Sequence, residues 1–345
     1  MRRILVVAAT AILLCLTTLA AHAAVWPMRA VNVTVPFSQG NAIDLLVNLQ
    51  ARVFAAQNAQ TLQSTYIPGR GGLNAWAMID DSNTNGNVLT AVELPGLALR
   101  SMQPYSGLEL YSIVICHVSA YSPLALWVSQ DSPIRSLDDF IAEAKKQPRK
   151  VQVAGPGTYS PAQIAALRFD RQSGIQTIYM PFMGETEAAA ATQSQDIKAF
   201  WADALHYPSF NGAFRPIAIA AEVRSSVFPE LPTFRELGYE LVEGSFRGYV
   251  VPAGTPLPLL QAIYETFEAV RTDKRFTDAA VALGFGIPAM GQDGFGRFMS
   301  DLTTEYREKA ENLDIVLSPP GALPETPPAA KVPHAQETAE PHPHI

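Results

Sequence analysis

Two loops of small and polar residues lead directly into helix-like segments, and their residue types suit the binding of an anion. The first loop is Val35-Pro-Phe-Ser-Gln-Gly-Asn41, and the second is Ala154-Gly-Pro-Gly-Thr-Tyr-Ser160. Asn41 and Ser160 are good N-cap residues, and Asp44 follows Asn41 as in a capping box. Unpaired N–H groups at a helix start, with the positive end of the helix dipole, attract a carboxylate or phosphate. The alternative interpretation is two ordinary strand-to-helix turns that cap themselves.

Catalytic chemistry finds little support in the sequence. Outside the two ends of the chain the only histidines are His117 and His206, and neither lies in a recognisable catalytic motif. The sequence has no Gly-x-Ser-x-Gly elbow, no phosphate-binding loop, no full dinucleotide fingerprint and no His, Cys, Asp and Glu cluster with metal-ligand spacing. We therefore expect no catalytic residues, no metal and no cofactor, and a secreted hydrolase is the least favoured alternative.

The first residues predict export. Arg2 and Arg3 precede an apolar stretch that runs from Ile4 to about Leu19, and Ala21-His22-Ala23 supplies the small-x-small pattern of a signal-peptidase site. We expect residues 1–23 to be a signal peptide that is cleaved near Ala23, which places the mature protein in the periplasm. A retained signal anchor is the alternative interpretation.

Composition limits the remaining function classes. The formal net charge of −7 falls to −9 once Arg2 and Arg3 are removed, and an acidic surface argues against nucleic acid as a partner. Cys116 is the one cysteine of the mature chain, so an intramolecular disulfide is excluded. Residues 318–345 are rich in Pro, Ala, Glu and Thr, and they predict a disordered tail whose histidines are solvated or bind a metal weakly.

The body between these ends alternates strand-like and helix-like segments. Roughly 290 residues remain, which usually means two domains of about 150 residues each. The alternation predicts an α/β fold with parallel or mixed sheets covered by helices. The predicted strands are 31–35, 63–67, 87–92, 124–128, 151–154, 176–180, 197–201, 215–220 and 249–251. The predicted helices are 42–57, a short one from Leu73, 137–146, 161–172, 186–192, 257–272 and 294–312.

Two crossings of the chain between domains are plausible in this pattern. The strand at 124–128 leaves the first lobe, and the segment at 246–251 returns to it. The sequence therefore predicts a discontinuous lobe 1, residues 24–128 and 247–317, and an inserted lobe 2, residues 129–246. Each candidate loop follows a strand, at the carboxyl edge where α/β proteins bind ligands, so a ligand cleft is expected between the lobes.

Several motifs in order along the body resemble one receptor family. Pro36, Phe37, Gly40 and Asp44 match a Pro-Phe-x-x-Gly-Gly-x-x-Asp loop. Further matches are Pro68-Gly-Arg-Gly-Gly72, Gly155-Pro-Gly-Thr158, Arg224-Ser-Ser-Val-Phe-Pro-Glu-Leu-Pro-Thr-Phe-Arg-Glu-Leu-Gly238 and Phe246-Arg-Gly-Tyr-Val-Val-Pro-Ala-Gly-Thr-Pro256. The chain resembles the extracytoplasmic receptors of tripartite tricarboxylate transporters, the TctC-like or Bug family, from about Trp26 to Ile315.

The resemblance implies a fold, a function and a set of site residues. The fold is a two-lobed periplasmic binding protein of type II-like, Venus-flytrap form. The function is capture of a small organic acid for integral-membrane transporter subunits, and a ligand-sensing subunit for a membrane signalling protein is the alternative. Matching positions implicate Phe37, Gly40, Asp44, Gly157, Thr158 and Asp203 in ligand binding, loop position adds Ser38, Asn41, Tyr159 and Ser160, and Phe246 and Arg247 complete the set.

Departures from the family pattern bear on ligand identity. Glu93 stands where a small residue often follows the third strand, and its carboxylate would repel an anion unless paired with Arg70 or Arg247. Solvated surface arginines are the alternative for both. Phe182-Met-Gly184 lacks a lysine that the family usually carries. These changes predict a monocarboxylate, an amino acid or an amide rather than a tricarboxylate. Trp201 and Phe246 are either pocket-lining or core residues.

Overall fold

A computed structural model describes residues 26–318, apart from 80–82, 105 and 195. The expected signal peptide and the predicted tail from residue 319 onward lie outside the described residues. Everything below refers to the described part of the chain.

Strands of this part form one continuous mixed sheet. They are β1 (Val31–Val35), β2 (Leu62–Tyr66), β3 (Val88–Leu94), β4 (Ile113–Ser129), β5 (Gln152–Pro156), β6 (Ile178–Phe182), β7 (Ile197–Asp203), β8 (Phe214–Ile219) and β9 (Gly244–Pro252). The strand order is β2-β1-β3-β9-β4-β7-β5-β6, and β8 also pairs with β4.

The long strand β4 divides this sheet between two lobes. Its residues Ile113–Pro123 pair with β9, which in turn pairs with β3, whereas Leu124–Ser129 pair with β7 and β8. We call the part built on β1, β2, β3, β9 and the start of β4 the first lobe. The part built on the end of β4 and on β5 to β8 is the second lobe. The strands β4 and β9 therefore carry the chain between the lobes.

Helices cover both lobes. They are α1 (Ala42–Asn58), α2 (Leu73–Trp76), α3 (Gly96–Ser101), α4 (Leu137–Lys146), α5 (Pro161–Ser173), α6 (Glu185–Thr192), α7 (Leu257–Thr272), α8 (Lys274–Leu283) and α9 (Phe295–Asn312). Single 3₁₀ turns lie at Arg70–Gly72, Leu110–Ser112 and Gln292–Gly294. Among the described helices, none combines the length and the apolar character that a membrane span requires.

Two apolar clusters form the core: the first extends from the first lobe into the second, and the second lies wholly in the second lobe. Val31, Val33 and Phe54 lie in the first core. In the second core, Trp201 stacks on Phe234 with ring centroids 5.5 Å apart. Trp201 is therefore a core residue, which decides between the two roles that the sequence allowed for it.

Most predicted elements end within two residues of the observed ones, but four elements differ. The strand β4 begins at Ile113 rather than at residue 124, and β9 begins at Gly244 rather than at residue 249. The helices α3 and α8 were not predicted. Much of β4 is buried without an alternating polar face, so it gives no two-residue periodicity. The helix α8 follows α7 after the single residue Asp273, whose side chain caps it.

Candidate functional site

The two candidate loops meet at one place between the lobes. A cavity of about 10 Å³ lies there. Its lining residues come from both lobes: Phe37, Asn41, Ala42, Ile43, Glu93 and Arg247 from the first, and Pro156, Gly184 and Glu185 from the second. This volume barely matches the space that one water molecule needs. Any larger ligand therefore requires the lobes to separate before it can enter.

The first loop satisfies its own helix start. The Oδ1 atom of Asn41 accepts hydrogen bonds from the backbone N–H groups of Ile43 at 2.7 Å and Asp44 at 3.1 Å. The carboxylate of Asp44 accepts one from the N–H of Gly40 at 2.8 Å. These N–H groups already have acceptors, so Asn41 and Asp44 cap the start of α1 as the capping-box pattern predicted.

The second loop is capped in the same way. The Oγ atom of Ser160 accepts from the N–H of Gln163 at 3.1 Å, and the Oε1 atom of Gln163 accepts from the N–H of Tyr159 at 2.7 Å. The N–H of Gly157 donates to the carbonyl of Phe182 at 2.8 Å. Thr158 is exposed. Both loops thus cap their own helices, and ligand binding by their residues stays a prediction.

Positive charge at the site comes from two buried arginines instead. Arg247 lines the cavity, and its guanidinium forms a buried ion pair with Asp203. Arg100 projects from α3 and is about 1% exposed. Its Nη2 atom donates to the carbonyl of Pro156 in the second lobe at 3.4 Å. Within the described part of the chain, its Nε and Nη1 atoms have no hydrogen-bond partner.

Arg100 is a candidate site residue that sequence reasoning missed. The signal in the sequence was that Arg100 is the single charged residue in the run Leu94-Pro-Gly-Leu-Ala-Leu-Arg100. A cation at the end of such a run is usually placed at the surface, since arginine is seldom fully buried without a partner. The unpredicted helix α3 turns it inward over the ring of Trp76, at 5.7 Å from the ring centroid.

Negative charge is equally concentrated at the cavity. Glu93 lies directly opposite Arg247 in the β3–β9 register. Burial raises the pKa of the Glu93 carboxyl, and the charges of Arg247 and Arg100 lower it by less. Of the two arginines that the sequence offered as partners of Glu93, Arg247 is beside it and Arg70 is exposed.

Glu185 is the second carboxylate on the cavity wall. It is the first residue of α6, where the helix dipole favours a negative charge. Its Oε1 atom accepts from the N–H of Asp203 at 3.0 Å, and its Oε2 atom accepts from the hydroxyl of Tyr207 at 2.6 Å. Both oxygens are therefore held by the second lobe.

The remaining predicted site residues lie around the cavity in different ways. Ser38 donates to the Oε1 atom of Glu187 in the second lobe at 2.6 Å. The hydroxyl of Tyr159 donates to the carbonyl of Val316 at 2.6 Å. Gly157 approaches Gly71 of the first lobe so closely that an added Cβ would lie 3.1 Å from the Cα of Gly71. These residues form contacts between lobes.

Phe246 lies away from the cavity lining. Its ring packs against Tyr121 at 4.7 Å and Phe298 at 5.0 Å between centroids. Both partners belong to the first lobe, so the aromatic contacts of Phe246 are those of a packing residue.

The buried residues Ser119 and His117 and the partly exposed Glu268 form a chain of side-chain contacts on the first lobe. The Nδ1 atom of His117 lies 2.8 Å from the Oγ of Ser119, and its Nε2 atom lies 3.3 Å from a carboxylate oxygen of Glu268. Ser119 is wholly buried and also accepts from the amide of Gln50 at 2.9 Å. A substrate cannot reach such a hydroxyl, so the connectivity of a hydrolytic triad serves packing here. In the described ranges, no group of three His, Cys, Asp or Glu residues is placed to bind a metal.

Comparison with known proteins identifies the family. The model of the tripartite tricarboxylate transporter family receptor, TctC, matches residues 49–313. The chain belongs to this family. A relative from Cupriavidus necator, named "UPF0065 protein in gbd 5'region", is 26% identical over 306 residues, which cover 86% of this chain and 90% of the relative. The family is one of solute-binding receptors rather than of enzymes.

Solved structures confirm the two-lobed fold. The periplasmic binding protein BugD matches with a TM-score of 0.77 at 18% identity, covering 84% of this chain and 99% of that one. A protein from R. palustris that was solved with adipate matches with a TM-score of 0.77 at 20% identity, covering 86% of this chain and 100% of that one. The receptor is thus a mixed α/β periplasmic binding protein fold with two lobes, as the motifs predicted.

Proposed function

We propose that this receptor works in the periplasm, where it captures a small carboxylate-bearing molecule between its lobes and delivers it to the membrane subunits of a tripartite tricarboxylate-type transporter. The observation that carries the proposal is the cavity at which Phe37 and Asn41 of the first lobe meet Pro156 and Glu185 of the second. Family membership supports the role in transport, and the adipate bound to a solved relative motivates the choice of carboxylates.

The carboxylate is expected to bind to guanidinium groups rather than to helix starts. Several N–H groups of the two loops already have acceptors within the loops. Arg247 lines the cavity, and Arg100, which contacts the lining residue Pro156, has two nitrogen atoms without a hydrogen-bond partner among the described residues. A guanidinium matches a carboxylate with two parallel hydrogen bonds, and such charge-assisted bonds are about twice as strong as neutral ones. A ligand carboxylate would therefore satisfy buried donors that lack a protein acceptor.

Ligand binding is coupled to separation and closure of the lobes. The closed form is held by Ser38 with Glu187 and by Tyr159 with Val316. Arg171 adds a bond from its Nη1 atom to the carbonyl of Asn312 at 2.5 Å. These contacts must break for a ligand to enter and can form again over it. Closure is then stabilised by any ligand that binds both lobes.

Thermal unfolding with a panel of ligands tests the carboxylate assignment. The panel contains mono-, di- and tricarboxylates, amino acids and amides, each with the mature chain. A ligand at 100 times its Kd stabilises the folded protein by about 2.7 kcal/mol. We expect at least one carboxylate to raise Tm and to be recovered unchanged by mass spectrometry. If no carboxylate raises Tm, or if the bound compound is chemically altered, the proposed function is wrong.

Export is tested separately. The mature protein recovered from a periplasmic extract is expected to begin at Ala24, because Ala21-His22-Ala23 precedes it. N-terminal sequencing gives the answer directly. A chain that still begins at Met1 in the membrane fraction would favour the retained anchor.

A further inference from the structure

Four of the 25 lysine and arginine residues of the chain lie within six consecutive positions of the second lobe. Lys145 and Lys146 belong to the last turn of α4, and Arg149 and Lys150 lie in the turn that leads to β5. All four residues are exposed. We call these four residues the basic turn. They form a positive surface on a chain whose formal net charge is −7.

Little of this positive charge is neutralised by neighbouring carboxylates. The Nζ atom of Lys146 lies 3.9 Å from a carboxylate oxygen of Glu143, and the lysine side chain is 73% exposed. An exposed ion pair at such a separation is weak. Within the described part of the chain, Lys145, Arg149 and Lys150 form no ion pair. The basic turn therefore presents nearly all of its charge to the surroundings of the protein.

The local structure accounts for only half of the basic turn. The negative end of the α4 dipole favours Lys145 and Lys146, but this effect falls off within the last turn of a helix. Arg149 and Lys150 lie beyond it. Arg149 also has a φ of +59°, in the left-handed region where glycine or asparagine is the usual residue. A cation at this position is unfavourable for the backbone, so the turn geometry does not explain it.

The basic turn lies at the end of the second lobe opposite to the cavity. The strand β5 begins at Gln152, next to the turn, and ends at Pro156 on the cavity wall. A surface that binds the basic turn therefore leaves the cavity free. Ile178 lies beside the turn, because its N–H donates to the carbonyl of Val151 at 2.8 Å, and it is 39% exposed. Apolar side chains next to exposed cations are typical of segments that lie on membrane surfaces.

We propose that the basic turn binds the anionic phospholipid headgroups of a membrane surface. Each Lys or Arg close to such a surface strengthens binding about fivefold. Carboxylates elsewhere on the chain are screened beyond about 8 Å at physiological salt, so the negative net charge does not cancel this local attraction. Three of the four cations are lysines, whereas the planar fork of arginine is the better match for the carboxylates of a protein partner. The inference goes beyond the proposed function, since it concerns a surface outside the cleft and needs no bound ligand.

Sedimentation of the mature chain with lipid vesicles tests the proposal. Vesicles of phosphatidylcholine alone are compared with vesicles of phosphatidylcholine and phosphatidylglycerol in equal amounts. The salt concentrations are about 0.1 M and about 1 M, where the Debye length is about 10 Å and about 3 Å. We expect the chain to bind to the anionic vesicles at the lower salt and to be released at the higher.

The inference is overturned if the anionic vesicles bind no more of the chain than the neutral ones, or if the higher salt leaves binding unchanged. If the chain then binds to beads coated with polyglutamate, the basic turn is assigned to an acidic protein partner instead. None of these outcomes affects the thermal-unfolding test of the proposed function.

Two variants of equal net charge separate the basic turn from the charge of the whole chain. The first combines Lys145→Gln, Lys146→Gln, Arg149→Gln and Lys150→Gln. The second is the control and changes four exposed cations of the first lobe: Arg29→Gln, Arg52→Gln, Lys274→Gln and Arg297→Gln. At about fivefold for each charge, the first variant should lose roughly a hundredfold or more in vesicle affinity. The control should bind about as well as wild type, and equal losses in the two variants would overturn the assignment.

A single substitution separates vesicle binding from folding. Glycine adopts a φ of +59° without strain, so Arg149→Gly should keep or raise Tm. Its vesicle affinity should nevertheless fall about fivefold. Vesicle binding that weakens only in variants with a lowered Tm overturns the proposal, because loss of folding then explains it.

Discussion

Arg247 on β9 donates a hydrogen bond to the carboxylate of Asp203 at the end of β7, and both side chains are buried. Ser122 on β4 lies between them, accepting from the Nη1 atom of Arg247 at 2.6 Å and donating to Oδ1 of Asp203 at 2.7 Å. The chain crosses between the lobes on β4 and β9. This network therefore joins the lobes at their crossing strands and fixes the guanidinium that lines the cavity.

The Asp203–Arg247 pair gives a prediction for stability. Asp203→Asn removes the counter-charge of a fully buried arginine, so it should lower the free energy of unfolding by about 3–5 kcal/mol. Urea denaturation measures the change. Asp278→Asn is the matched control, since Asp278 forms an exposed pair with Lys274 whose loss costs about 1 kcal/mol or less. Equal effects of the two substitutions would contradict the prediction.

Arg100 gives a prediction in which affinity and stability diverge. Arg100→Met should weaken carboxylate binding by more than tenfold, because it removes the guanidinium that is proposed to bind the ligand carboxylate. The free energy of unfolding should stay the same or rise, since Met replaces a buried cation whose Nε and Nη1 atoms have no partner among the described residues. Titration calorimetry and urea denaturation measure the two effects. Arg29→Met, at an exposed arginine, is the control and should change neither.

A pair of glycines isolates the contact between lobes. Gly157 and Gly174 both lie in the second lobe with positive φ, +64° and +69°, so alanine at either position costs about 1–2 kcal/mol of backbone strain. Only at Gly157 would the added Cβ meet the other lobe, at Gly71 and Arg100, whereas nothing lies within 4 Å of the Cβ position at Gly174. Gly157→Ala should therefore weaken ligand binding at least tenfold and Gly174→Ala should not.

Small-angle scattering adds a second readout for the same pair. The Gly157→Ala protein should keep a larger radius of gyration in saturating ligand than the Gly174→Ala protein, because closure is blocked. Identical affinities in the two variants would show that the close approach at Gly157 does not contribute to closure.

His117 gives a prediction for pH dependence. Burial lowers its pKa from 6.5 to about 4, so the unfolded chain binds one more proton than the folded chain between these values. Stability is therefore lost as pH falls from 6.5 towards 4, by up to about 3 kcal/mol. His117→Gln should make the free energy of unfolding, measured by urea denaturation, fall less steeply as pH decreases. Parallel curves for the two proteins would exclude a titrating His117 as the cause.

Titration of Asp170 changes stability in the direction opposite to that of His117, and Asp170 is present in both wild type and His117→Gln. Burial raises its pKa to about 6, so its protonation stabilises the folded chain as pH falls from about 6 towards its ordinary value of 3.8. Because Asp170 contributes equally to both proteins, its contribution cancels when their free energies of unfolding are subtracted. In an Asp170→Asn background, the free energy of unfolding of the protein that keeps His117 should fall more steeply as pH decreases, because the opposing contribution of Asp170 is absent.

Local features of the fold were predictable because their causes lie within a few residues. Ser160 and the following Pro161 predicted the start of α5, and the apolar run from Val31 to Val35 predicted β1. The order of short motifs along the body was enough to predict the family and its two-lobed fold. These signals need no knowledge of which segments meet.

The chemistry of the cavity was not predictable in the same way. Asn41 and Ser160 suit both a ligand-binding loop and a self-capped turn, and the hydrogen bonds of Gly40 and Gln163 show that both loops are capped in the closed protein. The sequence could not assign a role to Arg100, because its surroundings come from segments far along the chain.

The sequence by itself determined the type of nearly every element, the receptor family and the positions of the two loops. Only the tertiary structure brought Arg100 of α3 to Pro156, placed Glu93 opposite Arg247, and set Glu187 against Ser38. The physical reason is the distance along the chain over which each interaction acts. Capping and periodicity act over a few residues along the chain. The charge pairs at the cavity, and the nitrogen atoms of Arg100 that lack partners among the described residues, arise where the two lobes, joined by β4 and β9, close on each other.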